Sequence, residues 1–229
     1  MILIFCYAVF PLVSQENNDV DDVNNEGFFK KISWFGEGSV LFFLEDNGTE
    51  SDPMPILPSP GFGASYPLTD FFRLEFSLDM YFTHYGYSYN LERAVPDAIE
   101  NRTAQVIGFI IALEAAWYYD VNSFMTLRAF GGPAADLRLV LVASNLSNET
   151  SSSMDDIRER TNKVRNYFWS SGRWFMPVAG TGVDFTLNSR FKLGIDFRVW
   201  IPMYRLWSGE DLPAAEGWRF GPGIRFTIR

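Results

Sequence analysis

Residues 191–203, FKLGIDFRVWIPM, alternate strictly between apolar and polar or small side chains. The two sets are Phe191, Leu193, Ile195, Phe197, Val199, Ile201 and Met203 against Lys192, Gly194, Asp196, Arg198, Trp200 and Pro202. Successive side chains of a strand point to opposite faces, whereas a helix would mix these charges among the apolar residues. The stretch is therefore predicted to be a β-strand with one apolar face, which meets either a protein core or lipid.

Similar alternation recurs along the chain and predicts eight strands. They span residues 28–44, 62–68, 71–85, 105–119, 125–141, 174–187, 191–204 and 218–229. Gly131, Gly132 and Pro133 predict a bulge or kink inside the fifth strand. The connections alternate between long and short, and in consecutive antiparallel strands this places every short turn at the same end. The pattern predicts an all-β fold, an eight-stranded antiparallel up-and-down transmembrane β-barrel with short periplasmic turns and long extracellular loops.

The two faces of these strands give two predicted sets of side chains. The predicted lipid-facing set is Phe72, Leu74, Phe76, Leu78, Phe191, Leu193, Ile195, Phe197, Val199, Ile201, Phe220, Ile224 and Phe226. The predicted charge network of the lumen is Lys31, Glu37, Arg73, Glu75, Asp79, Glu114, Arg128, Asp136, Arg138, Asp184, Lys192, Asp196, Arg198, Arg219 and Arg225. An interior of eight strands is only just wide enough for side chains, so its charges are expected to pair. Two interpretations stay open: a plug of salt bridges, or a narrow gated path for small or partly apolar solutes.

Composition narrows the class of protein. The formal net charge of -9 argues against nucleic-acid binding.

Residues 1–14 form the one long apolar run and are interpreted as a signal peptide that lacks the usual preceding basic residue. Residues 15–27 are predicted to be a flexible acidic tail, and residues 28–229 the barrel. The single cysteine, Cys6, lies within 1–14, so neither disulfides nor thiol chemistry is expected in the mature chain, and Phe5 disfavours a lipoprotein acceptor site.

The sequence predicts no enzyme. No catalytic constellation, metal-ligand spacing or cofactor motif is present, so no catalytic residue, metal or cofactor is expected. The lone histidine, His84, is expected at a strand end, beside an aromatic girdle. Residues 144–171 contain a helical pattern with an apolar stripe that includes Val164 and Phe168, interpreted either as an ordered surface loop or as a ligand-binding lid.

The pattern of strands and loops over residues 28–229 resembles the small outer-membrane barrels of the OmpX, OmpA-transmembrane and OmpW type. The Phe- and Trp-rich composition is similar to that of spirochaetal, treponemal barrels. The resemblance implies a bacterial outer-membrane location with surface-exposed loops, contact with membrane lipid, and insertion by the outer-membrane assembly machinery. It also implies a porin-like or OmpW-like narrow path, or a structural surface protein.

The alternative function is an adhesion or ligand-binding barrel that acts through its extracellular loops on a small solute or a host ligand. A third interpretation, a soluble lipid-binding barrel, requires the apolar face to point inward.

Overall fold

The computed structural model of the protein describes residues 31–45, 56–96, 104–141, 154–209 and 216–228. The predicted signal peptide and acidic tail lie outside the described residues. The described strands are β1 (Ser33–Leu44), β2 (Ile56–Pro67), β3 (Phe72–Ser88), β4 (Arg93–Pro96), β5 (Ala104–Asp120), β6 (Met125–Gly132), β7 (Ala134–Leu141), β8 (Val178–Thr186), β9 (Phe191–Trp200) and β10 (Trp218–Ile228). Helix α1 spans Met154–Trp169, and 3-10 helices span Ser170–Gly172 and Met203–Leu206. Of the described helices, none is long and apolar enough to cross a membrane.

The strands close into an eight-stranded antiparallel barrel, as the sequence predicts. β1 pairs with β2 on one side and with β10 on the other, so that Trp34 lies opposite both Ala64 and Ile228. The circuit continues through β2–β3–β5–β6–β8–β9–β10. β7 also pairs with β5 and occupies the same strand position as β6, while β4 pairs with the end of β3.

The fifth predicted strand is broken into β6 and β7 at Pro133, the predicted site of irregularity. Pro133 has no N–H to contribute to a ladder, and its carbonyl accepts a hydrogen bond from the Leu113 N–H at 3.0 Å. Before the break, β6 pairs with β8. After it, the Asp136 N–H donates to the Trp174 carbonyl at 2.7 Å, in the segment between α1 and β8.

Short and long connections alternate as predicted. Residues 68–71, 121–124 and 187–190 make the turns at one end of the barrel, here called the short-turn end. Asn122 Oδ1 accepts from the Met125 N–H at 2.8 Å, and Asn188 Oδ1 from the Phe191 N–H at 3.0 Å. These side chains replace the backbone acceptors that a tight turn lacks. The strand ends that the longer connections join lie at the opposite end, called the loop end, together with α1.

Several described strands differ from the sequence prediction; β8, for example, begins at Val178 instead of residue 174. β2 begins at Ile56 instead of residue 62 even though it contains Pro58 and Pro60. Among the described strands this part of β2 pairs with β1 alone, so one of its edges does not need the N–H groups that proline lacks. β4 lies in a predicted loop. β9 ends at Trp200, so Ile201 lies beyond the strand and is half-buried instead of continuing the outward face.

The apolar face of the strands points out of the barrel. In β9, Ile195 is 56% and Phe197 47% exposed, while Asp196 and Arg198 are 5% and 4% exposed. The other members of the predicted lipid-facing set, Ile201 apart, occupy the same outward positions of β3, β9 and β10. A soluble lipid-binding barrel would show the reverse burial, so the third interpretation is wrong.

Candidate functional site

The barrel interior is the candidate site, because it collects buried charges from most of the strands. Twelve members of the predicted network are buried: Glu75, Asp79, Glu114, Arg128, Asp136, Arg138, Asp184, Lys192, Asp196, Arg198, Arg219 and Arg225. The side chain of Glu37 is also buried, at 4% exposure. Arg73 is half-buried near the short-turn end. Lys31 precedes β1 and is exposed, so the structure does not bring it into the interior.

Glu75 of β3 is the centre of the largest cluster. Arg225 of β10 donates to both of its carboxylate oxygens, at 2.7 and 2.9 Å. Arg128 of β6 donates to Oε2 at 2.9 Å, and the Tyr118 hydroxyl of β5 donates to Oε1 at 2.5 Å. Arg128 also forms an ion pair with Asp196 of β9. Charge-assisted hydrogen bonds of this kind are stronger than neutral ones, so the Glu75 cluster connects five strands through the interior.

A second cluster surrounds Arg198 of β9. Its guanidinium donates to both oxygens of Glu37 at 2.8 and 2.6 Å, and to Asp79 at 3.3 Å. Aromatic rings support the guanidinium groups of both clusters. The Arg225 guanidinium carbon lies 3.5 Å from the Phe35 ring centroid, and that of Arg198 lies 5.4 Å from the Phe130 centroid. Such stacking is favourable for a weakly hydrated cation.

Asp136 of β7 centres the cluster nearest the loop end. Its Oδ2 accepts from Arg138 Nε at 2.6 Å and lies 2.7 Å from Arg219 Nη2. Its Oδ1 accepts from the Tyr81 hydroxyl at 2.8 Å. The Arg219 guanidinium carbon lies 4.2 Å from the centroid of the Phe43 ring. The Asp136 cluster thus joins β3, β7 and β10.

An apolar layer lies beside the Asp136 cluster and was not foreseen from the sequence. Its buried members are Leu41, Phe43, Tyr81, Ile110, Ala112, Ala134, Met176, Val178 and Trp200. The alternation of the sequence places Tyr81, Ala112 and Trp200 on the inner face but does not predict that they belong to an apolar layer. The run VLFFL at residues 40–44 carried the missing signal, because a strand that is apolar at consecutive positions has two apolar faces.

Helix α1 packs on the interior at the loop end. Val164 and Phe168, from the predicted helical stripe, are buried with Tyr85, Ala94 and Val106. The Phe168 and Tyr85 rings meet edge to face at a centroid distance of 4.8 Å. The Arg138 guanidinium carbon lies 4.2 Å from the Phe168 centroid. The interior is therefore capped by side chains of α1.

Glu114 of β5 is a fully buried carboxyl. It is 0% exposed, and neither carboxylate oxygen has a hydrogen-bond partner among the described residues. It lies directly opposite Glu75 in the β3–β5 ladder. Two acids facing each other in a ladder are unfavourable when both are charged, so Glu114 contrasts with the fully paired Glu75.

Two groups at the loop end have altered acidity. Burial raises the pKa of the Glu45 carboxyl, and the opposing effects of the Arg138 charge and the Tyr85 hydrogen bond are smaller. The Tyr85 hydroxyl donates to Glu45 Oε2 at 2.5 Å. Burial likewise raises the pKa of the Tyr204 phenol.

The described residues contain no group of His, Cys, Asp and Glu side chains that could hold a metal ion. His84 lies on the outward face of β3, opposite Gln105 and close to the loop end, and it is half-buried. β3 continues to Ser88, so His84 lies near the loop end of the strand and not at its last residues, where the sequence predicts it.

The sequence matches no protein-family model and no curated protein. The fold is similar to that of neisserial surface protein A, at 12% identity over 86% of this chain and 96% of that chain, with a TM-score of 0.50. It is also similar to the N-terminal barrel domain of Pseudomonas aeruginosa OprF, at 14% identity over 85% and 96% of the two chains, with a TM-score of 0.41. A third similar structure is Ail of Yersinia pestis, solved with the heparin analogue sucrose octasulfate, at 10% identity over 86% and 94%, with a TM-score of 0.41. At 12% identity, the likeness to neisserial surface protein A shows the fold alone, that of a small outer-membrane β-barrel.

Proposed function

We propose that the protein is an integral outer-membrane barrel with a closed interior, and that it serves as a structural surface protein instead of an open conduit. The outward apolar face supports placement in lipid. In that placement the short turns face the periplasm and the long connections face the outside. The outer-membrane assembly machinery inserts the barrel.

The main observation in support of a closed interior is that paired charges and aromatic rings fill it. Arg225, Arg198 and Arg219 each lie against an aromatic ring and hydrogen-bond or pair with a carboxylate. A solute path would have to separate these pairs, and removing one partner of a buried pair costs roughly 3–5 kcal/mol. Of the two interpretations left open by the sequence, the plug of salt bridges is therefore favoured over the narrow path.

Conductance tests this proposal directly. The full chain is refolded in detergent and reconstituted into planar bilayers, with an open porin reconstituted in parallel as the positive control. We expect the porin to give discrete current steps and this protein to give none. Regular steps from the folded protein, at a frequency that scales with its amount, would contradict a closed interior.

A second candidate function is ligand binding at the loop end, and the placement of α1 favours it. Val164 and Phe168 anchor the helix, while Arg158 and Arg165 on its other face are exposed. The Lys163 ammonium also lies 4.3 Å from the centroid of the Tyr89 ring, between β3 and β4. An anchored helix with exposed cations fits an acidic surface ligand.

Charge reversal tests the second function. Cells that display the barrel are compared for binding to a surface coated with an acidic polysaccharide, before and after Arg158→Glu with Arg165→Glu. Binding that falls with charge reversal and with added salt supports this function. Equal binding by the two proteins contradicts a role for α1.

A further inference from the structure

A groove of about 720 Å³ lies on the outward face of the barrel, across β5, β6, β8 and β9. Pockets of this size commonly hold a small ligand, and most of the lining is apolar or aromatic. Arg128 and Asp196 also border the groove, but their side chains are buried and pair with each other in the interior. The surface that the groove offers to an occupant is therefore apolar.

The register of the strands explains the shape of the groove. One row of outward positions consists of Trp117, Ala129, Thr181 and Phe197, each paired with the next across β5, β6, β8 and β9. The two middle residues are small, whereas Trp117 and Phe197 are large and are 57% and 47% exposed. Three strand spacings separate the large residues, so their backbones lie roughly 14 Å apart. Ala129 and Thr181 thus form the floor, and Trp117 and Phe197 form the walls.

The groove lies in the part of the barrel nearer the short-turn end. Its next row includes Tyr119 and Leu127, which pair with each other beside the turn at residues 121–124. The groove is continuous there with the outward apolar face of β9, through Ile195. In a lipid bilayer, its occupant is therefore hydrocarbon from the leaflet at the short-turn end.

The shape of the groove favours a lipid chain over a second barrel. The outer wall of a second copy is convex, and Trp117 and Phe197 would hold it away from the floor. An acyl chain is thin and flexible enough to reach Ala129 and Thr181. Within lipid, van der Waals packing decides which contacts are preferred, because the hydrophobic effect no longer does. A chain in the groove contacts protein on three sides and so gains more of this packing than a chain on an even wall.

We infer that the groove between Trp117 and Phe197 retains one acyl chain of a phospholipid from the leaflet at the short-turn end. The inference rests on the proposed placement of the barrel in lipid. It does not depend on whether the interior is closed. A retained lipid of this kind is expected to stay with the barrel when detergent replaces the rest of the bilayer.

Fluorescence quenching by a phospholipid with brominated acyl chains is the first test. The full chain is refolded in detergent micelles that contain increasing fractions of this lipid. The signal of Trp117 is the difference between wild type and Trp117→Phe. Trp34 is the matched control, measured with Trp34→Phe, because it is 58% exposed and lies at the start of β1, also near the short-turn end. We expect half-maximal quenching of Trp117 at a lipid fraction about tenfold lower than that for Trp34.

Filling the floor of the groove is the second test. Ala129→Leu combined with Thr181→Leu should remove the preference, so that quenching of Trp117 requires as much lipid as quenching of Trp34. Thr181→Val is the control, because it removes the hydroxyl group at nearly constant volume and should keep the preference. An unchanged preference in the filled variant would overturn the inference.

The quenching experiment on Trp117 and Trp34 is decisive even if the filled variant does not fold. Equal quenching of the two residues, in a protein that folds only in detergent or lipid, overturns the retained lipid but leaves the proposed placement intact. Folding of the chain in plain buffer overturns both. Sedimentation in detergent addresses the other occupant: a dimer that the filled variant loses would show that the groove binds a second copy, and would also overturn the inference.

Discussion

At the scale of single residues, the interior contrasts two neighbouring glutamates. Glu75 accepts hydrogen bonds from Arg225, Arg128 and Tyr118, whereas Glu114 has no hydrogen-bond partner among the described residues. The period-two pattern predicts that both side chains point inward, and both are buried. It cannot predict which charges pair, because the partners lie across the interior and far apart in sequence, by 161 residues for Arg198 and Glu37.

Removing the Glu75 charge is expected to be severely destabilising. In Glu75→Gln, Arg225 and Arg128 stay buried but lose their shared carboxylate, so the free energy of unfolding should fall by roughly 3–5 kcal/mol. Urea unfolding of the barrel refolded in lipid vesicles measures this. The control is Glu159→Gln, which removes the exposed ion pair with Lys163 on α1 and should change stability by less than about 1 kcal/mol. Equal effects of the two substitutions would contradict the central role of Glu75.

Glu114→Gln is expected to have the opposite effect on stability and to raise the free energy of unfolding. The amide keeps the shape of the carboxyl and removes the charge that faces Glu75 across the ladder. The amide is still a buried polar group, so the gain comes only from the loss of the like charge, and we expect the free energy of unfolding to rise by up to about 1 kcal/mol. The same urea titration measures it. A loss of stability comparable to that of Glu75→Gln would show that Glu114 has a partner.

At the scale of elements, α1 and the irregular strands show where local sequence signals are sufficient. The spacing of Val164 and Phe168 predicts the helix and its buried face, since both signals lie within one helical stripe. β4 and the early start of β2 were missed because Pro58, Pro60 and Pro96 are locally unfavourable for strands. Pro58 and Pro60 are tolerated because of their place in the fold: among the described strands, this part of β2 pairs on one side alone.

Truncation of Phe168 should release α1 from the barrel. Phe168→Ala removes the edge-to-face contact with Tyr85 and the stacking on Arg138, and loss of a buried phenylalanine costs roughly 3–5 kcal/mol. Hydrogen exchange should show faster exchange of α1 amides, while β9 amides stay protected. Trp169→Ala is the control, because that neighbouring ring is 42% exposed. Unchanged α1 protection in Phe168→Ala would contradict the anchoring role.

At the scale of the whole molecule, the fold has polar contacts inside and apolar side chains outside. The closed eight-stranded barrel could be predicted from the sequence because strand faces and connection lengths are repeated features. The apolar layer around Leu41 and Phe43 could not, since it depends on which strand segments meet in the interior. Because the apolar side chains lie outside, the folded chain is expected to be stable in lipid or detergent.

Charges on the outward face should be tolerated according to depth. Ile195 lies in the middle of β9, and Leu187 lies at the adjacent short turn; both are exposed. Arginine costs roughly 2–4 kcal/mol at the bilayer midplane and about 0–1 near its interfaces. In vesicles, Ile195→Arg should therefore lower the free energy of unfolding by more than Leu187→Arg. Heat-modifiable gel mobility confirms folding before each titration, and equal losses would contradict a lipid-embedded β9.

The pairing of β1 with β10 also constrains the order of folding. Trp34 and Ile228 are neighbours in the closed sheet although almost the whole described chain separates them. The circuit cannot close until β10 has been synthesised, and contacts of such long sequence separation make folding slow. Before closure, β1 and β10 both present unpaired edges, which invite aggregation with other chains. We therefore expect the nascent chain to need protection of these two edges until the barrel closes, with the pairing of β1 and β10 as the last step of folding.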